Sequence, residues 1–310
     1  MQQTLTVRGD SVWPWPCDPA APRIVLLVHG YNNTEQQARE SYRELREKIE
    51  ETGASPATLE NIWEVYWHGF EARWVTLLPR DEESTLLSVR TYAAQVPVAR
   101  AAGRTLGEYL ARLPAEIELI FVAHSLGSRV VLEALRVLYR YKNQSPNHQG
   151  PSVRAYCLMA AAVPTYMVEP ARILRRPAQI AGQSHVLWSP WDWVLRFAFP
   201  PGQTQAGEGH LPEAVGHAGQ PYEVWTSNHR TNLGHSGYYR KAAQNPYTLH
   251  ASRDTAPYLA PLFGASIPKP IPEIGIIEWT GPGSQPLPRV TLPRREIGSR
   301  LRKWFHLASI

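Results

Sequence analysis

The chain has 310 residues, 43% of them apolar, with 28 prolines, 11 tryptophans and a formal net charge of +5. That length suits one large domain, or one domain with an appendage, and the composition points to long ordered loops rather than disorder. The charge excess is mild and gathers towards the C-terminus, so no nucleic-acid partner is expected; the two cysteines, Cys17 in a Pro-rich stretch and Cys157 in an apolar run, give neither a disulfide framework nor a metal site.

Apolar runs of strand length alternate with helical patterns along the chain. A first run at 4–8 could add an antiparallel edge strand. Residues 24–28 (I-V-L-L-V) form a short continuous apolar run, as expected of a strand covered on both faces. A helix is expected over 35–51, where Ala38, Tyr42, Leu45 and Ile49 recur at helical spacing and Gly53 stops it. A strand follows at 62–67, then a long helical stretch over 84–113, bent at Pro97. Strand 117–123 leads into helix 125–141, with Val130, Val131, Ala134, Leu135 and Leu138 on its buried side. Further strands are expected at 153–161 and 185–188. Strands separated by helices of this length imply right-handed crossovers and a mainly parallel sheet with helices on both faces.

Two regions break this rhythm. Residues 200–221 are rich in Pro, Gly, Gln and His without periodicity and read as a long loop, either a lid or a surface excursion. From residue 251 the chain is Pro-rich, with one strand-like run at 274–280 and a terminal basic helix. The expected organisation is therefore a main domain over 1–250 and an extension over 251–310 packed on it.

The chemistry concentrates at Ala123-His124-Ser125-Leu126-Gly127. A serine on a sharp turn between a buried strand and a helix is the setting of a nucleophile elbow, with signature G-x-S-x-G. Here Ala123 replaces the first glycine, which keeps that position small. Ser125 reads either as the N-cap of the helix or as a nucleophile, and the strand before it favours the nucleophile. His124 is expected to point away from the reacting atoms.

Attack on a carbonyl places negative charge on oxygen, which backbone N–H donors stabilise. Leu126, after the serine, and Tyr31, just past His29-Gly30 at the end of an earlier strand, are the candidate donors. An acid and then a histidine should follow the nucleophile in the chain. Asp192, just beyond the strand at 185–188, is the candidate acid, with a helix N-cap as its other reading and Glu169 as an alternative. His235, in a turn leading into a helical pattern, is the candidate base; His229 is its rival, and His210 and His217 are expected on the surface. No cofactor or metal is required for this chemistry.

The segments 28–34 (V-H-G-Y-N-N-T) and 123–130 (A-H-S-L-G-S-R-V) resemble a group of bacterial α/β-hydrolases of serine esterase or lipase-like character. That group carries an H-G-Y-N-N loop and an A-H-S-[ML]-G-x-R-[VL] elbow. Trp188-Ser189 through Asp192 to Leu195, and Gly234-His235 before a Tyr pair, are similar to its acid and histidine segments. The resemblance spans residues 20–245 and implies an α/β-hydrolase fold with a Ser125, Asp192 and His235 triad. It does not extend to the Pro-rich end.

Trp188, Trp191, Trp193, Phe197 and Phe199 cluster around Asp192. Core packing is expected for at least half of them, and Trp188, Trp191 and Trp193 are candidate linings of a substrate pocket for an apolar acyl or aromatic group. Over 294–310, Ile297, Leu301, Trp304 and Phe305 recur at helical spacing among basic residues. Such a helix either docks on the protein's own core or touches an anionic membrane, in which case a lipid ester is the expected substrate. The N-terminal residues lack the pattern of a secretory leader, and no apolar run approaches the roughly 18 residues of a spanning helix, so a cytoplasmic location is expected unless delivery is signal-independent. The expectation is hydrolysis of a small-molecule or lipid ester; a silent hydrolase scaffold that binds a ligand or protein partner is the alternative.

Overall fold

The apolar runs lie in a single eight-stranded sheet in the computed structural model, which describes residues 3–13, 22–31, 35–69, 82–144, 150–235, 237–238 and 255–263. The strands are β1 (Gln3–Arg8), β2 (Ser11–Trp13), β3 (Arg23–Val28), β4 (Ile62–Trp67), β5 (Glu118–His124), β6 (Ser152–Met159), β7 (Gln183–Trp188) and β8 (Ser227–Arg230). Their order across the sheet is β2-β1-β4-β3-β5-β6-β7-β8. All pairings are parallel except β1 with β2. After its first residue, every residue of β3 and of β5 is buried. Successive side chains of a strand point to opposite faces, so the centre of the sheet is covered on both sides.

The cover comes from the crossovers. Helix α1 (Glu35–Glu51) and short α2 (Pro56–Glu60) join β3 to β4. Ser55 caps α2 by accepting from Thr58 N–H at 3.2 Å, and Pro56 occupies its first turn. Helix α3 (Glu82–Leu110) runs through Pro97 without breaking and packs along α4 (Gly127–Gln144), which follows β5. Beyond β6 lies α5 (Arg175–Ala178); beyond β7 come a π-helical turn (Val194–Ala198), α6 (Phe199–Gln205) and α7 (Val215–Ala218). A mainly parallel sheet covered by helices, with a serine turn between its central strand and the next helix, is the α/β-hydrolase fold.

Several local expectations change. The run at 4–8 is not an antiparallel edge strand: β1 pairs in parallel with β4, and β2 takes the edge as its antiparallel partner. Residues 200–221 are not a structureless loop, since they contain α7 and most of α6. The strand β8, whose sequence is S-N-H-R, has no apolar signal. Helix α8 (Ala256–Leu259) and the 3-10 turn Ala260–Phe263 carry Leu259, Leu262 and Phe263 into the core. Cys17, the strand-like run at 274–280 and the basic helix at 294–310 lie outside the described residues. Among the described residues, no helix is long and apolar enough to cross a membrane.

Candidate active site

Ser125 stands one residue beyond the end of β5, with its backbone N–H donating to Met159 O at 2.9 Å, and so remains tied to the neighbouring strand β6. Its φ of 52° is left-handed, a conformation that costs a non-glycine residue about 1–3 kcal/mol. The surroundings hold it there: Ser125 O accepts from Ala162 N–H at 3.1 Å and from Ser128 N–H at 3.0 Å.

The turn is possible because its neighbours lack bulk. A Cβ on Gly127 would lie 2.4 Å from His29 O and 2.6 Å from Val28 O. The glycine two positions after the serine is thus required by the backbone at the end of β3 and just past it. A Cβ on Gly30 would lie 2.8 Å from Ser125 Cβ, which ties the glycine of the H-G-Y loop to the same close approach.

His235 and Asp192 arrive from the two strands on the far side. Asp192 is four residues past β7, fully buried, and His235 is five residues past β8. His235 Nδ1 lies 2.8 Å from Asp192 Oδ2, and Nε2 lies 2.9 Å from Ser125 Oγ. A carboxylate accepts, so Nδ1–H donates to Asp192 and Nε2 is left to accept the Ser125 hydroxyl proton. Asp192 also caps the turn that follows it, since its Oδ1 accepts from Leu195 N–H at 3.0 Å. Asp192 is thus hydrogen-bonded at once to the turn it caps and to His235.

The loop after β3 is held from below. His29 Nδ1–H donates to Gly30 O at 2.8 Å, and its Nε2 accepts from Trp67 N–H at 3.3 Å. Trp67 Nε1–H donates to His29 O at 2.9 Å, and Tyr42 Oη accepts from His29 N–H at 2.8 Å. Burial drives the His29 pKa down to about 4, so it stays neutral and keeps one donor and one acceptor. Tyr31 sits at the mouth of this loop, its hydroxyl bonded to Thr91 Oγ1 and its ring edge-on to Tyr92. Leu126 is buried, and among the described residues its N–H meets no hydrogen-bond acceptor. Asn32 and Asn33 of the same loop lie outside the described residues.

The alternatives stand elsewhere. His229 is on β8, 2.5 Å from Ser227 Oγ and against the Tyr258 ring. Glu169 ends the 3-10 turn after β6, His210 is exposed, and His217 faces Glu213 at 3.4 Å. His124 does not point away from the site as expected: its ring lies 5.0 Å from that of His235. Around Asp192, Phe199 is buried and Trp188 partly so, whereas Trp191 (56% exposed), Trp193 (64% exposed) and Phe197 face outward, so core packing takes fewer of these rings than expected. Arg196 lies over both Trp193 and Phe197. Sequence reasoning missed Tyr42 and Trp67, whose polar atoms sit within an aromatic strand and helix and carry no motif.

Among the described residues no group of three or more His, Cys, Asp or Glu side chains is arranged to hold a metal ion. No protein-family model matches the chain, and no curated protein matches it. Among solved structures, it is similar to the ydeN gene product from B. subtilis, with 17% identity, coverage of 63% of this chain and 87% of that one, and a TM-score of 0.28.

Proposed function

We propose that the protein is a serine hydrolase that cleaves a carboxylic ester through an acyl-enzyme on Ser125. The observation that carries this reading is the unbroken hydrogen-bonded series from Ser125 Oγ through His235 to buried Asp192. In this scheme Ser125 Oγ attacks the ester carbonyl as His235 Nε2 takes its proton. Asp192 holds the imidazole in the required tautomer and stabilises its cationic form. The N–H groups of Leu126 and Tyr31 receive the oxyanion, a role supported by the Leu126 N–H, which meets no acceptor among the described residues, and by the braced loop at His29. His235 then returns the proton to the departing alcohol, and water repeats the sequence on the acyl-enzyme.

The substrate class follows from the outward rings beside Asp192. Trp191 and Trp193, with Phe197 and the partly buried Trp188, support an apolar acyl or aromatic group, and hence a lipid ester among possible substrates. A fluorophosphonate probe is expected to label the protein, and Ser125→Ala to abolish labelling. A panel of esters of increasing acyl length should then show activity rising with chain length. Folded wild-type protein that takes no label would overturn the reading in favour of a silent binding scaffold.

A further inference from the structure

His124 ends β5 immediately before Ser125 and is buried. Its Nε2 lies 2.7 Å from the backbone carbonyl oxygen of His235. A carbonyl only accepts, so Nε2 carries the proton and donates it. The His124 ring also meets the ring of His235 at 5.0 Å and that of Tyr238 at 6.0 Å. The segment that carries the base is thus gripped by the strand that carries the nucleophile.

This grip bears on a segment with no regular structure of its own. His235 follows the last residue of β8 by five positions, and its imidazole is partly exposed. Its flanks are tied down: Thr231 N–H donates to Trp188 O at 2.7 Å, and Lys48 Nζ donates to Tyr238 O at 3.2 Å. The His124 bond reaches His235 itself. We propose that His124 is a positioning residue: its Nε2–H bond to the His235 carbonyl fixes the base so that one imidazole spans Ser125 and Asp192 together. This rests on the reading of those three residues as a triad.

The residue type suits the task. The reaction makes His235 cationic, and a lysine or arginine donor at this distance would oppose that charge. Burial, together with nearby His235 and His29, pushes the His124 pKa down to about 3, so it donates as a neutral group. Its ring has only two side-chain torsions and stands on a buried strand, which makes the donor stiff.

The test is the rate at which a fluorophosphonate labels Ser125 in wild type, His124→Phe, His124→Asn and His124→Gln. Gln places an amide donor at about the reach of Nε2; Asn is one carbon shorter and falls short; Phe keeps the ring without a donor. A misplacement of about 1 Å can cost roughly 100-fold, so the Phe and Asn variants should label about 10- to 100-fold more slowly, with Gln within about threefold of wild type. The loss should fall on the limiting rate and not on the half-saturating probe concentration. If Phe does not fold, the Asn and Gln pair decides. Wild-type rates in Phe and Asn, or a Gln variant as slow as Asn, would overturn the positioning role while leaving the triad reading intact. A wild type that takes no label would instead remove the triad reading on which the role rests.

Discussion

Asp192 serves two donors with its two oxygens: Oδ1 takes Leu195 N–H, and Oδ2 takes His235 Nδ1–H. The two tasks separate by substitution. Asp192→Asn can keep Oδ1 on Leu195, but turns an NH2 group towards His235 Nδ1, which then holds the wrong tautomer. On the proposed triad reading, kcat for ester hydrolysis should fall by about 10⁴, with stability held within about 1 kcal/mol. Asp192→Ala should lose the cap as well and cost about 1 kcal/mol more in urea unfolding. Unchanged kcat in the Asn variant would remove Asp192 from the mechanism. The competing readings of this residue were visible in the sequence because a position just past a strand suits both a cap and an acid. The role of His124 was not, because it depends on a carbonyl 111 positions away. The reason for Gly127 was equally hidden: the motif says that the position is small, but the crowding carbonyls belong to Val28 at the end of β3 and His29 just past it.

Helix α4 carries a buried ion cluster that ties three elements together. Arg129 donates to Glu208 through Nη1 and Nη2 at 2.9 and 3.0 Å, and to Glu133 through Nε at 3.2 Å. Arg136 reaches Glu133 at 3.0 Å, and Arg100 of α3 reaches Glu208 at 3.3 Å. Glu208 lies just beyond α6, so the cluster fastens the segment between α6 and α7 to the helix that begins at the serine turn. Removing the central cation strands buried carboxylates, which typically costs 3–5 kcal/mol. Arg129→Met should therefore lower stability by roughly that amount in urea unfolding, whereas Arg39→Met, which breaks an exposed pair with Glu35, should cost under about 1 kcal/mol. Equal costs at the two sites would show that the cluster contributes nothing special. At this scale the sequence was legible where apolar periodicity was strong, as in β3, β5, α1 and α4. It was not legible in β8, whose four residues are all polar, or in α6, which opens on Phe-Pro-Pro-Gly. Those elements form because tertiary contacts outweigh local preference: β8 pairs with β7, and Phe199 of α6 is buried.

Across the whole molecule, the sheet buries three imidazoles near the C-terminal ends or within its strands: His29 after β3, His124 at the end of β5, and His185 in β7. Burial is the main cause that lowers all three, His29 and His185 to about 4 and His124 to about 3. In the unfolded chain each returns towards 6.5 and binds a proton at higher pH than the folded protein does. Between about pH 6.5 and pH 4 the unfolded state therefore holds more protons, and stability falls as pH falls. Above that window all three are neutral in both states and add no slope. Each histidine contributes up to about 1.4 kcal/mol per pH unit inside the window, so the three together approach about 4 kcal/mol per unit. Urea midpoints measured from pH 8 to pH 4.5 should be nearly level above pH 7 and drop steeply below pH 6. His124→Gln should make the drop shallower by up to about 1.4 kcal/mol per unit, because an amide does not titrate. A profile that is level down to pH 5, or one that His124→Gln leaves unchanged, would mean that these imidazoles take up protons as readily in the folded protein as in the unfolded chain.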